Sequence, residues 1–187
     1  MPGNLIYVMG PSGAGKDALM QFARTRLDHD SRVVFAHRYI TRPQQVAAHE
    51  NYITLTEAEF ALRQRHGLFL LDWQAHGLSY GVGIEAALWR ERGLTVVVNG
   101  ARSFFLAAHR RYPQMRPVYI QVPKDILRER LMARGRETLP EIEERLARPS
   151  EQIPAECTVI DNSGAIELAG NRLLALLKEA AGQLPAN

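Results

Sequence analysis

Five short apolar runs punctuate the chain: Leu5–Met9, Val33–Phe35, Leu94–Val98, Val118–Val122 and Thr158–Ile160. Several are continuous rather than alternating, the pattern of strands covered on both faces. Stretches of helical period separate most of them, which predicts crossover connections and a parallel sheet. Local signals place the helices. Thr56 and Glu59 form a capping box, Leu55 and Phe60 can staple it, and Gly67 closes that helix. Ile84–Arg92 reads as a helix that stops at Gly93, and Ser103 is placed to cap one that ends before Pro113. Pro123 and Asp125 start another that runs through Met132, and Thr138 with Glu141 forms a second capping box. Ile166, Leu173, Leu174 and Leu177 stripe a last helix, followed by a tail from Gly182 that reads as frayed.

Between about Val33 and Gly83 the pattern changes. Two strand-like pieces, Asn51–Leu55 and Leu68–Trp73, surround one helix in a stretch rich in Arg, His, Tyr and Trp. This segment reads as a lobe inserted over the carboxyl edge of the sheet, where open α/β folds bind ligands.

Length and charge narrow the picture further. At 187 residues the chain suits one domain with a small inserted lobe. Cys157 is the only cysteine, which excludes an intrachain disulfide and suits a reducing, cytoplasmic setting. No apolar run approaches a membrane span, and no basic leader precedes the first strand. A net charge of +3 without any long basic block argues against a nucleic-acid partner. Arginine far outnumbers lysine, and a guanidinium fork matches phosphate oxygens.

The strongest chemical signal is Gly10-Pro11-Ser12-Gly13-Ala14-Gly15-Lys16-Asp17, set between the first strand and a helical pattern at Leu19, Phe22, Ala23 and Leu27. Glycines let the backbone turn until several N–H groups converge on one anion. The following helix start adds orphan donors and a positive dipole end, and Lys16 supplies a point charge for nucleotide phosphates. Gly10, Ser12, Gly13, Ala14, Gly15 and Lys16 are therefore candidate ATP ligands. The position after the lysine, ordinarily Ser or Thr, is Asp17. Two roles stand open for it: a Mg²⁺ ligand, or a first-turn acid that favours the helix dipole.

Two arginine groups follow. Arg38, Tyr39, Thr41 and Arg42, with Tyr52 and Tyr80-Gly81, would suit a phosphorylated acceptor; a solvated arginine face is the alternative. Arg128, Arg130, Arg134, Gly135 and Arg136, then Arg145 and Arg148, describe a helical hairpin that could close over a transferring phosphoryl group. Glu129, Glu137, Glu143 and Glu144 are at hand to pair some of them, so two or three are expected to act. The six histidines show no metal-ligand spacing, with His76 the one placed near the acceptor segment.

Gly10–Lys16, Ile40-Thr41-Arg42-Pro43, Tyr52, Leu71-Asp72-Trp73, Tyr80-Gly81, Asn99-Gly100 and Arg130–Gly135 resemble guanylate kinases in order and spacing, over nearly the whole chain to about Asn162. The resemblance implies an α/β P-loop NTPase fold: a nucleoside-monophosphate-kinase-like parallel sheet with an inserted acceptor-binding lobe and a helical lid. It implies one domain over 1–187, with core 1–35 and 84–187, acceptor lobe about 36–83 and lid about 130–148. The chain departs from guanylate kinases where guanine and metal are handled. Arg38 stands where they carry a small hydroxyl residue, and Thr95–Asn99 carries no carboxylate. A second arginine after the Arg-Pro element is missing, with Gln44 and Gln45 nearby. Losing a base-reading hydroxyl should change the substrate rather than tune it.

The Lys-Asp loop, Arg38–Pro43, Leu71–Gly77 and Val98–Arg102 are more similar to the ribose 1,5-bisphosphate phosphokinases of bacterial phosphonate degradation. That likeness implies ATP·Mg²⁺-dependent phosphorylation of a small sugar phosphate to 5-phosphoribosyl 1-diphosphate, with a homodimer left open. It implies Lys16, Asp17, Arg130 and Arg134 as catalytic residues and Asp17 on Mg²⁺. Arg38, Arg42, Tyr52, Asp72, Tyr80, Arg145 and Arg148 become acceptor ligands, and Asn162 an edge of the adenine site. The rivals are a true guanylate kinase acting on GMP, a silent protein-docking module, and an ATP-hydrolysing regulator. An intact Gly15-Lys16 speaks against the silent module.

Overall fold

The computed structural model describes residues 2–27, 32–42, 51–75, 77–135, 138–147 and 153–182, with the side chain of Arg145 excepted. The chain opens with β1 (Leu5–Met9), α1 (Lys16–Arg24), β2 (Val33–Phe35), β3 (Arg38–Ile40), β4 (Tyr52–Thr54), α2 (Glu57–Arg65), β5 (Phe69–Ala75) and β6 (Leu78–Gly83). It continues through α3 (Glu85–Glu91), β7 (Thr95–Asn99), α4 (Phe105–Arg111), β8 (Arg116–Gln121), α5 (Lys124–Arg134), α6 (Leu139–Ala147), β9 (Thr158–Asp161) and α7 (Ile166–Ala180).

The main sheet runs in the order β2-β7-β1-β8-β9, with every pairing parallel. The five residues of β1 are all buried because each face of the sheet is covered. Ile6 and Val8 look toward α1, α5, α6 and α7, where Leu19, Leu127, Ile142, Leu173 and Leu177 complete one half of the core. Leu5, Tyr7 and Met9 look the other way, onto Leu71, Trp73, Ala86 and Phe105. Period-2 alternation thus survives in β1, but as two apolar sides.

The inserted segment builds a second, four-stranded sheet in the order β4-β3-β6-β5. Two of its strands, β3 and β6, were not anticipated. β3 is only three residues long, and β6 carries Gly81 and Gly83, which weaken its strand signal. This sheet is built into the core: Leu70, Leu71, Trp73 and Val82 are buried against the β1 side, and Trp73 stacks on Phe104 at 5.6 Å between ring centroids.

Four boundary expectations are adjusted. Ser103 does not cap α4, because a 3₁₀ turn over Arg102–Phe104 leads straight into that helix with Phe104 already in a helical conformation. α5 continues to Arg134, where Gly135 at φ 62 ends it in a left-handed cap. The first capping box is half formed: Thr56 accepts from the Glu59 N–H at 3.1 Å, while the Glu59 carboxylate turns to Arg63 at 2.8 Å. The second uses its other half, with Glu141 accepting from the Thr138 N–H at 2.7 Å. Among the described residues no helix is long and apolar enough to cross a membrane.

Candidate active site

β1 delivers the chain to the carboxyl edge of the sheet, where it turns through Gly10, Gly13 and Gly15 at positive φ into α1. Gly15 is the cap of α1 at φ 84, with no side chain closing the helix start, so the end of the dipole stays available to an anion. A Cβ at Gly15 would stand 2.6 Å from the Asn162 side-chain nitrogen. Asn162 is buried after β9, and its Nδ2 donates to the Ala14 carbonyl at 2.8 Å. The Asn162 carbonyl accepts from Arg130 Nη2 at 2.8 Å. One residue thus joins the loop to α5. Its Nδ2 is engaged by the backbone of the loop. α5 also reaches the loop by packing: Leu127 and Leu131 would stand 3.0 Å from a Cβ at Gly13.

Lys16 folds back onto its own loop. Its Nζ donates to the carbonyls of Gly10 and Pro11, both at 2.9 Å. Burial pushes its pKa down to about 8; Asp17 opposes that fall, while Arg38, Arg102 and Arg134 add to it. Those four groups are therefore within electrostatic reach of the lysine. Asp17 turns into the cleft. Its Oδ1 accepts from Asn99 Nδ2 at 2.7 Å and stands 3.9 Å from Arg38 Nη2.

The lobe contributes one face of its sheet. Arg38 is in register with Tyr52 and Val82, and Ile40 with Tyr80, so Arg38, Tyr52 and Tyr80 share a face. The Arg38 guanidinium lies 5.8 Å from the Tyr80 ring centroid, and Tyr80 stacks nearly flat on Trp73 at 5.6 Å. Arg42 covers the Tyr52 ring at 4.7 Å. Asp72 is the exception. It alternates with Leu71 and Trp73, so it belongs to the opposite face, where Gln64 of α2 donates to it at 2.7 Å. Strand periodicity thereby separates it from the arginine–tyrosine face, against its expected role on a ribose hydroxyl.

The arginine hairpin divides its residues. Arg128 pairs with Glu143 at 2.8 Å on the exposed side, Arg130 holds Asn162, and Arg134, exposed at the end of α5, lies within electrostatic reach of Lys16. Arg136, Arg148, the side chain of Arg145, Pro43, Gln44, Gln45, His29, His49 and His76 lie outside the described residues. His109, half-buried, stacks on Phe105 at 5.4 Å. Among the described residues no group of three His, Cys, Asp or Glu side chains could hold a metal ion. Asp17, at the helix start beside the phosphate loop, offers one hard oxygen, which suits a Mg²⁺ otherwise ligated by phosphates and water.

Two members of the cleft carried no assigned role in the sequence reading: Asn99, at the end of β7, and Arg102, three residues on. The usable signal was position. A polar residue closing a continuous apolar strand stands at the edge where parallel sheets bind ligands.

No family model matches the chain. Among curated proteins it is 52% identical to the ribose 1,5-bisphosphate phosphokinase PhnN of Desulfomicrobium baculatum over 177 residues, 94% of each chain. It is 48% identical to the Thiobacillus denitrificans protein of the same name over 180 residues, covering 95% of this chain and 94% of the relative. The Burkholderia pseudomallei protein is 50% identical over 177 residues, 93% of this chain and 95% of the relative. Among solved structures, a guanylate kinase from Anaplasma phagocytophilum superposes with a TM-score of 0.70 at 17% identity, covering 96% of this chain and 87% of that one. A sugar kinase from Janibacter sp. superposes at 0.54 with 18% identity, over 99% of this chain and 100% of that one. At such identities the likeness is one of fold.

Proposed function

Since the chain belongs to the ribose 1,5-bisphosphate phosphokinase family, we propose that it moves the γ-phosphoryl group of ATP to the 1-phosphate of ribose 1,5-bisphosphate. An oxygen of the acceptor phosphate bonds to the γ-phosphorus, the bond to the β–γ bridging oxygen breaks, and ADP leaves with 5-phosphoribosyl 1-diphosphate. The attacking oxygen is already anionic, so the site needs no strong general base. Its work is alignment and charge neutralisation.

The observation that carries this reading is the charge balance of the cleft. Lys16, Arg38, Arg102 and Arg134 gather about the phosphate loop, and the end of β7 carries the neutral Asn99. Two substrates rich in phosphate favour such a site, whereas a neutral purine ring gains nothing from it. The glycine loop, the α1 N-terminus and Lys16 hold the ATP phosphates. Arg38, Tyr52 and Tyr80, with Arg42, hold the acceptor. Arg134 faces the transferring group, and Arg130 acts through Asn162 on the loop. Asp17 would hold Mg²⁺, which would supply charge neutralisation to the nucleotide phosphates.

A coupled assay of ADP release, with ATP·Mg²⁺ and either ribose 1,5-bisphosphate, ribose 5-phosphate or GMP, tests the reading. Turnover is expected with the bisphosphate and not with GMP; the reverse result identifies a guanylate kinase. Arg38→Ser is expected to lower kcat/KM for the bisphosphate by about 100-fold, the value of a lost charge-assisted contact, with the KM for ATP changed less than about 3-fold. Equal losses for both substrates would make Arg38 a structural residue.

A further inference from the structure

Asn99 closes β7 with its backbone fixed in the parallel ladder, paired to Val8, and the next N–H donates to the Val8 carbonyl at 2.9 Å. The residue is 5% exposed. Nδ2 donates to Asp17 Oδ1 at 2.7 Å, and Oδ1 is buried with no hydrogen-bond partner. The opposite amide orientation would set a carbonyl oxygen against a carboxylate oxygen, so the bond itself fixes which atom is the donor. The Nε of Arg38 is likewise buried without a hydrogen-bond partner. Arg38 is an ion-pair partner of Asp17, yet at 3.9 Å it stands well outside hydrogen-bond distance.

Asp17 thus has two suitors, a neutral amide on the core sheet and a guanidinium on the lobe, and the amide holds it. We infer that Asn99 is a positioning residue that keeps the Asp17 carboxylate apart from Arg38, leaving the carboxylate to the nucleotide side and the guanidinium to the acceptor. The inference rests on the function proposed above. Without the amide, Asp17 would close on Arg38 as a charge-assisted pair, the stronger of the two available bonds. An apolar residue here would fill the space and let that pair form. A carboxylate would repel Asp17. The amide is the side chain of this size that donates without adding charge. The groups facing the Asp17 carboxylate from the neighbouring elements are Asn99 from β7, Arg38 from β3 and Lys16 from its own helix.

The test is a double-mutant cycle read by calorimetry. Ribose 1,5-bisphosphate is titrated into enzyme saturated with ADP in EDTA, so that no metal and no turnover enter the readout. Asn99→Leu is expected to weaken acceptor binding at least 5-fold when Asp17 is present. In the Asp17→Ala background, where no carboxylate remains to capture Arg38, the same substitution is expected to cost less than 2-fold. Equal losses in both backgrounds would show that Asn99 acts by packing alone, overturning its positioning role and leaving the proposed function intact. Failure of the wild-type enzyme to bind the bisphosphate would overturn both. Asn99→Ala, which removes the donor and fits the same site, replaces Asn99→Leu should thermal melting show the latter unfolded. In steady-state kinetics the positioning role also predicts a split, with the acceptor KM rising and the ATP KM changing less than 2-fold.

Discussion

Lys16 occupies surroundings that suit it only when an anion is present. Desolvation lowers its pKa from 10.5 to about 8, with Asp17 opposing the fall and Arg38, Arg102 and Arg134 adding to it. A group whose charged form is disfavoured in the fold subtracts stability while it is charged. Lys16 therefore costs stability in full below about pH 8, and the cost fades as pH rises from 8 toward 10.5. Lys16→Met should accordingly raise the melting midpoint of the ligand-free enzyme at pH 7 by about 2–4 °C, with the gain shrinking by pH 10. The same substitution should cut kcat by several orders of magnitude, because the removed charge stabilises the transition state. Differential scanning fluorimetry and the ADP assay measure the two halves, and a lower midpoint at pH 7 would contradict the first. Loss of the proton also predicts that kcat/KM for ATP falls as pH rises above about 8, with Lys16→Arg moving that limb upward.

The phosphate loop is held from behind by elements distant in sequence, the ends of β9 and α5. Asn162→Ala would leave the buried Ala14 carbonyl without its donor, at about 1–3 kcal/mol. The expected outcome is a lower melting midpoint and a KM for ATP raised about 10-fold, with the acceptor KM unchanged in the same assays. This support shows where the sequence stopped being readable. The central strands β1, β7 and β8 were legible because burial on both faces writes a continuous apolar run, and the edge strands β2 and β9, which are partly exposed, were legible from short β-branched runs. The phosphate loop was legible because its chemistry is local, confined to eight consecutive residues. β3 and β6 were not, since a three-residue strand and a glycine-bearing one owe their form to their neighbours rather than to propensity. The face Asp72 occupies was not legible, because it depends on register, which only pairing to β6 fixes. The support Asn162 gives the loop was not legible either, because the carbonyl that accepts from its amide lies 148 positions away.

At the scale of the molecule, the lobe and the core are joined through stacked planar groups: Arg38 on Tyr80, Tyr80 on Trp73, Trp73 on Phe104. The first three belong to the lobe sheet and Phe104 to the turn after β7, close to Asn99 and Arg102. Phe104→Leu keeps an apolar side chain there but ends the stack. It should cost about 1–2 kcal/mol in chemical denaturation and raise the acceptor KM more than the ATP KM, since it loosens the seat of Arg38. Equal effects on the two substrates would separate the stack from acceptor recognition. The folded-back lysine has a temporal consequence as well. The ammonium of Lys16 is sheathed by two carbonyls of the loop it serves, so an arriving nucleotide must first unsheathe it. Capture then has two stages, a loose encounter followed by an exchange of partners, and the observed rate of nucleotide uptake should level off at high concentration instead of climbing in proportion to it.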